Sequence, residues 1–339
     1  MNQSFLDMQK YLQEKGIKNN DFFLKLYDED LKDIDIYDPN LTNEFKKKIF
    51  VEIQRNYWFF LRNIKISKYS DDKYVLNPLT LAMNWLMINN IDFFAESPRQ
   101  TLRVTTPLIF YTWILLFGSI NACAFISSKD VSYARDNLLR IRDLCDNLPE
   151  FLTFKLWRQQ DALFNNFLNN QVRVKSLPKT KYKINDDVNF RLDSPLVFLD
   201  EFASIPNNEL IILSQLPIFH FTKFNSIAQG DYHGLILCTS PAKEKSNIIN
   251  QLQNNSQFDI SWYDFNDEML QKLEESMEIY YLKFTYKDIG LDNKYLKRMI
   301  QMLVVNNDWS IFRREVLLEY SDDPTCPFSE KELKEIMNN

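Results

Sequence analysis

Pro195-Leu196-Val197-Phe198-Leu199-Asp200-Glu201-Phe202-Ala203-Ser204-Ile205-Pro206 is the stretch that decides the fold. Leu196 to Leu199 is an unbroken apolar run between a proline and two carboxylates. A half-exposed strand alternates, so an unbroken run predicts a strand buried on both faces. Ile91 to Ala95, Ala122 to Ser127, Gly234 to Cys238 and Glu278 to Tyr286 are further short apolar runs, each predicted as a strand. Helical patterns lie among them: Leu79 to Ile88 behind Pro78, Leu108 to Phe117, and Val131 to Leu148 with Ala134, Leu138, Ile141, Cys145 and Leu148 on one face. Short apolar strands among helices predict an α/β fold with a mainly parallel central sheet covered on both faces. Functional loops of such sheets gather at the carboxyl ends of the strands, where Asp200 and Glu201 stand.

The flanks are of other kinds. Residues 1–70 read as a helical N-terminal subdomain, with Phe45, Ile49, Ile53, Tyr57 and Phe60 at helical spacing. Residues 71–320 read as the main domain and 321–339 as a C-terminal tail. Val104 to Ser128 carries no charge and is long enough to span a bilayer, but Pro107, Gly118, Ser119 and Asn121 divide it, so a buried helix and a buried strand are expected instead.

Composition narrows the function classes. The net charge of -6 means that the chain as a whole does not attract nucleic acid. A DNA contact would need a local patch, for which Lys46, Lys47, Lys48, Lys175, Lys179, Lys181 and Lys183 are candidates, against the reading that they are solvated surface. Trp58, Phe59, Phe60, Trp113 and Trp157 read as core rather than as base-stacking platforms. The four cysteines form no C-x-x-C pair and there are two histidines, His220 and His233, which argues against zinc and for a reducing, cytoplasmic setting. The polar, acidic first sixteen residues do not read as a signal peptide. Glycine is scarce, at 5 in the chain, so a standard glycine-rich phosphate loop is not expected.

Two further strand-end segments complete a constellation: Ala95-Glu96-Ser97-Pro98-Arg99-Gln100-Thr101-Leu102-Arg103-Val104-Thr105-Thr106, and Leu235-Ile236-Leu237-Cys238-Thr239-Ser240-Pro241. In this order the three segments resemble the ATPase domain of the large terminase of tailed bacteriophages, the DNA-packaging motor. That family has an Arg-Gln-x-Gly-Lys-Thr loop, an apolar strand ending in Asp-Glu, and a Thr-Thr-Pro or Thr-Ser-Pro coupling segment. Ile126-Ser127-Ser128, Ala134-Arg135-Asp136, Leu148-Pro149-Glu150-Phe151-Leu152, Phe312-Arg313-Arg314-Glu315 and Pro327-Phe328-Ser329 extend the likeness over roughly residues 45 to 336. The resemblance implies a three-layer P-loop NTPase-type domain, with residue 321 onward where a nuclease domain would begin.

It also implies roles. A phosphate loop aims backbone N–H groups and a lysine at the β- and γ-phosphates and a hydroxyl at magnesium. Here Leu102 stands for the glycine, Arg103 for the lysine and Val104 for the threonine, and a one-residue slip brings Thr105 to the metal. Arg99 matches a family arginine that senses the γ-phosphate. Gln100, Thr101, Arg103, Thr105 and Thr239 are the implied nucleotide contacts. Asp200 and Thr105 would hold Mg2+, and Glu201 would activate water. Val75 stands where the family has its adenine-reading glutamine. The implied cofactors are ATP and Mg2+; the implied partners are viral DNA, portal or other terminase subunits, a nuclease on a separate chain, and further copies of the chain, in the host cytoplasm and with no membrane span.

Two readings stay open. The first is an ATP-driven motor using Arg99, Arg103, Thr105, Asp200, Glu201 and Thr239. The second is a catalytically degenerate relative acting through protein contacts. Val75, Leu102 and Arg103 point to the second, Asp200 and Glu201 to the first. The expectation is weak ATP binding with slow or absent hydrolysis.

Overall fold

The computed structural model describes residues 2–67, 72–177, 193–240, 246–255, 257, 265–276, 278–321 and 323–338. Its strands are β1 (Phe93–Glu96), β2 (Cys123–Ser127), β3 (Trp157–Arg158), β4 (Ala162–Asn165), β5 (Asn170–Val174), β6 (Leu196–Asp200), β7 (Gly234–Thr239) and β8 (Tyr280–Lys283). They form one sheet in the order β3-β4-β5-β2-β6-β7-β1-β8. Every pairing from β5 to β8 is parallel. The β3–β4–β5 end is antiparallel.

The expected apolar strands thus form the parallel part. β1, β6 and β7 are buried along their whole length, as continuous Val, Ile, Leu and Phe runs require. Successive residues of β6 serve opposite faces: Leu196 and Phe198 join one apolar cluster, Val197 and Leu199 another. The antiparallel end was not predicted. β3 is two exposed residues and β5 is mostly polar, so no apolar run marks them. Trp157, expected in the core, is 57% exposed on that edge strand, its ring leaning on Phe164 at 5.5 Å. Trp58, Phe59, Phe60 and Trp113 are buried as expected.

The helices are α1 (Gln3–Glu14), α2 (Asn43–Arg55), α3 (Tyr57–Asn63), α4 (Pro78–Ile88), α5 (Thr105–Trp113), α6 (Val131–Asp146), α7 (Asn208–Gln229), α8 (Asn247–Asn254), α9 (Asp267–Ser276), α10 (Asn293–Leu303), α11 (Ser310–Glu315) and α12 (Glu330–Asn338). α4 opens on a capping box, Asn77 and Thr80 satisfying each other's backbone N–H, with Pro78 where a missing N–H is harmless. The uncharged stretch resolves into α5, a wider π-type turn over Ile114–Gly118, and β2. No helix among the described residues is long and apolar enough to cross a membrane.

One apolar core runs from α1, α2 and α3 through α5 into the sheet, with Phe5, Ile49, Phe60, Phe110, Trp113 and Ile126 all in it. α10, α11 and α12 form a separate small cluster around Met299, Trp309, Phe312 and Val316. Three of the lysines weighed for DNA are engaged: Lys48 pairs with Asp28 at 3.2 Å and with Asp30, Lys46 lies over the Phe151 ring, and Lys175 pairs with Asp193 at 3.6 Å. Lys179, Lys181, Lys183 and Pro241 lie outside the described residues.

Candidate functional site

Because β1, β6 and β7 are parallel neighbours with β7 in the middle, Glu96, Thr239 and Asp200 end at one edge of the sheet. This is the edge at which open α/β sheets bind ligands, and the three segments singled out in the sequence meet there.

The loop from Ser97 to Val104 leaves β1 and feeds α5. Gln100 has φ 61 and Leu102 φ 66, both left-handed, while Thr101 and Arg103 do not. Leucine in this conformation costs roughly 1–2 kcal/mol relative to glycine. The loop therefore keeps a glycine-like backbone without a glycine. Thr101 donates to the Pro98 carbonyl at 2.7 Å and its hydroxyl lies 3.0 Å from that of Ser97. From outside, the Glu315 carbonyl accepts from Arg99 N at 2.7 Å and the Tyr295 hydroxyl donates to the Arg99 carbonyl at 2.9 Å. The α10–α11 cluster thus grips the loop by its backbone.

Arg103 is the centre of the site. Its guanidinium is 6% exposed. Nη1 donates to the Ser97 carbonyl at 2.6 Å, Nη2 donates to Glu201 Oε1 at 2.9 Å, and Nε is buried without a partner among the described residues. Glu201 takes a left-handed turn, φ 52, directly after β6, and this carries its carboxylate to the arginine. The cation expected to meet phosphates is thus tied to the carboxylate expected to activate water.

Asp200 is 6% exposed. It accepts from Asn137 Nδ2 at 3.0 Å and from Glu201 N at 2.9 Å. Burial raises its carboxyl above the usual range, and the Glu201 charge pushes the same way; the Asn137 hydrogen bond and Arg103 oppose. A carboxyl raised on folding destabilises the fold at pH values above both its folded and unfolded values, and the penalty vanishes as pH falls below the unfolded value of roughly 4. Asp200→Asn is therefore expected to raise the melting temperature at pH 7.5 and to match the native chain more closely at pH 4. Calorimetry at the two pH values checks this; a variant that melts lower at pH 7.5 contradicts it.

Thr239 is fully buried, accepting from Ala203 N at 3.2 Å and donating to the Ser240 carbonyl at 2.6 Å, so it joins β7 to the segment after Glu201. Ser240 donates to Glu315 Oε2 at 2.9 Å. Thr105 opens α5 half-buried, whereas Thr106 is buried and bonded to the Leu102 carbonyl and the Tyr74 hydroxyl. Tyr74 ties the segment holding Val75 to the first turn of α5; Val75 itself is 48% exposed. The Arg99 and Gln100 side chains are exposed. Arg103, Asp200 and Glu201 are thus brought together, Thr101 and Thr239 are engaged in internal bonds, and Arg99 and Gln100 point outward.

Asn137 and Tyr295 lie outside the segments singled out in the sequence, and Ser97 and Glu315 lie within them with no role assigned. Asn137 left a signal: it is polar on the face of α6 that carries Ala134, Leu138 and Ile141, a position that asks for a buried partner. Of the groups that the resemblance implies, Mg2+ has a candidate ligand in Asp200. The loop does not fit a triphosphate as arranged, because its buried cation is neutralised by Glu201 and Leu102 takes the place of the glycine.

No protein-family model and no curated protein matches the sequence. Solved structures do. The HK97 bacteriophage large terminase is similar at a TM-score of 0.50 and 12% identity, over 82% of this chain and 55% of that one. The ATPase domain of a Thermus phage large terminase is similar at 0.47 and 14% identity, over 73% of this chain and 94% of that one. The large terminase of a thermophilic bacteriophage is similar at 0.45 and 13% identity, over 72% of this chain and 53% of that one. The chain thus spans about half the length of the whole large terminases it matches. At these identities the likeness speaks for the fold alone: over most of its length this chain has a fold similar to part of a phage large terminase.

Proposed function

We propose that this chain acts in viral DNA packaging as a catalytically degenerate terminase ATPase-fold protein, working through contacts with viral DNA-packaging partners such as a portal or other terminase subunits rather than through ATP turnover. The observation that carries this is the Arg103–Glu201 ion pair at 2.9 Å. A working site needs a cation free to meet the β- and γ-phosphates and a carboxylate free to meet water; here each occupies the other. The exposed Val75, in the place of the adenine-reading glutamine, supports the same reading. The competing reading, an ATP-driven motor, draws on Asp200 and Glu201 at the end of β6 and requires Arg103 to exchange Glu201 for phosphate.

Melting curves with and without MgATP separate the two. The native chain is expected to show no shift with millimolar MgATP. Glu201→Ala leaves the buried guanidinium without its carboxylate and is expected to lose stability on the order of 1–3 kcal/mol, and MgATP or sulfate is expected to restore part of that loss by taking the carboxylate's place on the freed cation. A saturable shift in the native chain at micromolar MgATP would overturn the proposal.

A further inference from the structure

α7 turns Ile211, Ile212, Gln215 and Phe219 to the sheet and leaves Leu213, Pro217, His220, Phe224 and Ile227 exposed. The exposed positions are spaced four, three, four and three residues apart, the repeat by which one helix meets another along a seam. Phe224 is 71% exposed, a large aromatic on the surface, on a stripe that is apolar except for His220 at its middle. From Leu213 to Ile227 the stripe is about 21 Å long at the helical rise, roughly four turns. Its C-terminal half opens into a cleft of about 700 Å³, bounded by α7 and α9 and floored by Ile91, Asp92 and His233, the residues that precede β1 and β7.

The charge of this cleft has a definite sign. The lysine that lines it, Lys223, is taken by Asp92 at 2.7 Å, and Asp92 also accepts from Leu235 N. Burial lowers the His233 pKa, which favours the neutral ring. Asp231 and Glu274 stand at its rim beside the uncharged Asn89, Asn90 and Leu273, so with Lys223 neutralised by Asp92 the charge left there is acidic. The cleft lies at the amino ends of β1 and β7, the opposite edge of the sheet from Arg103 and Glu201, and does not rest on the reading of that site.

We propose that the α7 seam and its acidic cleft dock an amphipathic α-helix of a partner protein, about four turns long, with lysines or arginines flanking its apolar stripe. The stripe supplies non-directional affinity and the acidic rim selects the sign of the partner. A second copy of the chain is a poor occupant: antiparallel pairing of two α7 seams sets Glu209 against Asp231, like charge against like. Fluorescence anisotropy with labelled 21-residue leucine–lysine and leucine–glutamate helical peptides, which share one apolar stripe, tests this on the full chain. The leucine–lysine peptide is expected to bind saturably and at least tenfold more tightly than the leucine–glutamate peptide. Phe224→Ser with Ile227→Ser is expected to weaken it at least tenfold, and Asp231→Lys with Glu274→Lys to reverse the preference between the peptides. All four positions are solvent-facing or at the cleft rim, and the charge-reversed chain reads the proposal independently if the serine variant misfolds. Equal affinity for both peptides, binding unchanged in both variants, or no binding overturns the proposal. So does a concentration-dependent dimer of the native chain that the serine variant loses.

Discussion

Leu102→Gly combined with Arg103→Lys is expected to raise magnesium-dependent ATP hydrolysis at least tenfold over a native chain with little or no turnover. Each half of the change addresses one observed obstacle. Leu102 already sits at φ 66, so glycine there relieves roughly 1–2 kcal/mol of strain and removes a side chain from the loop without asking the backbone to move. Arg103 reaches Ser97 and Glu201 together because its guanidinium is a fork with separate donors. Lysine is a compact point charge that does not make both bonds and leaves Glu201 free more of the time. A tenfold gain corresponds to about 1.4 kcal/mol of barrier, modest beside the contribution of positioning and charge to phosphoryl transfer. Each protein is assayed with and without Glu201→Ala. Brisk native turnover abolished by Glu201→Ala would show that Arg103 yields to phosphate and that the motor reading is right. Activity gained in the double variant and lost again on adding Glu201→Ala would place Glu201 as the water-activating carboxylate of a loop silenced by its own arginine.

How much of this was legible differs from residue to residue. The strands β1, β2, β6, β7 and β8 announce themselves because a parallel strand buried on both faces is an unbroken apolar run. β3, β4 and β5 do not: Trp157 and Arg158 are exposed, and Asn165 and Asn170 are buried polar residues whose amides cap carbonyls of the turn after α5, so apolar periodicity never forms. Asp200 and Glu201 were readable as a pair at a strand end. Their fates were not. Asp200 depends on Asn137, 63 residues away, and Glu201 on Arg103, 98 residues away, and contacts at that separation leave no local pattern. Leu102 was marked as a missing glycine, yet the backbone there keeps a left-handed turn. The surrounding contacts hold the left-handed turn, with Arg99 gripped from α10 and α11, and tertiary context overrides the residue's own preference.

Trp113→Ala is expected to cost about 3–5 kcal/mol of stability, the range for emptying the site of a large buried aromatic. The ring is 2% exposed and packs against Tyr57, Phe110 and Tyr232. Its Nε1 donates to the Ile53 carbonyl at 2.8 Å, where α2 would otherwise leave an unsatisfied group near its end. One side chain thus joins the N-terminal helices to α5, the helix that leaves the candidate loop. Gly118 shows how closely the site is filled: a Cβ there would lie 2.5 Å from the Trp113 ring. Gly118→Ala alone is expected to cost about 1–3 kcal/mol by overpacking. In the Trp113→Ala background it should cost far less, because the atoms it strikes are gone; neighbours in direct contact couple in this way, and distant sites do not. Urea unfolding of the native chain, both single variants and the double variant measures the cycle, and tyrosine and tryptophan fluorescence against far-UV circular dichroism shows whether the N-terminal helices unfold with the sheet. Additive losses would mean that the ring moves aside for the new methyl group. An early, separate transition in the native chain would mean that the core running from Phe5 to Ile126 does not act as one cooperative unit.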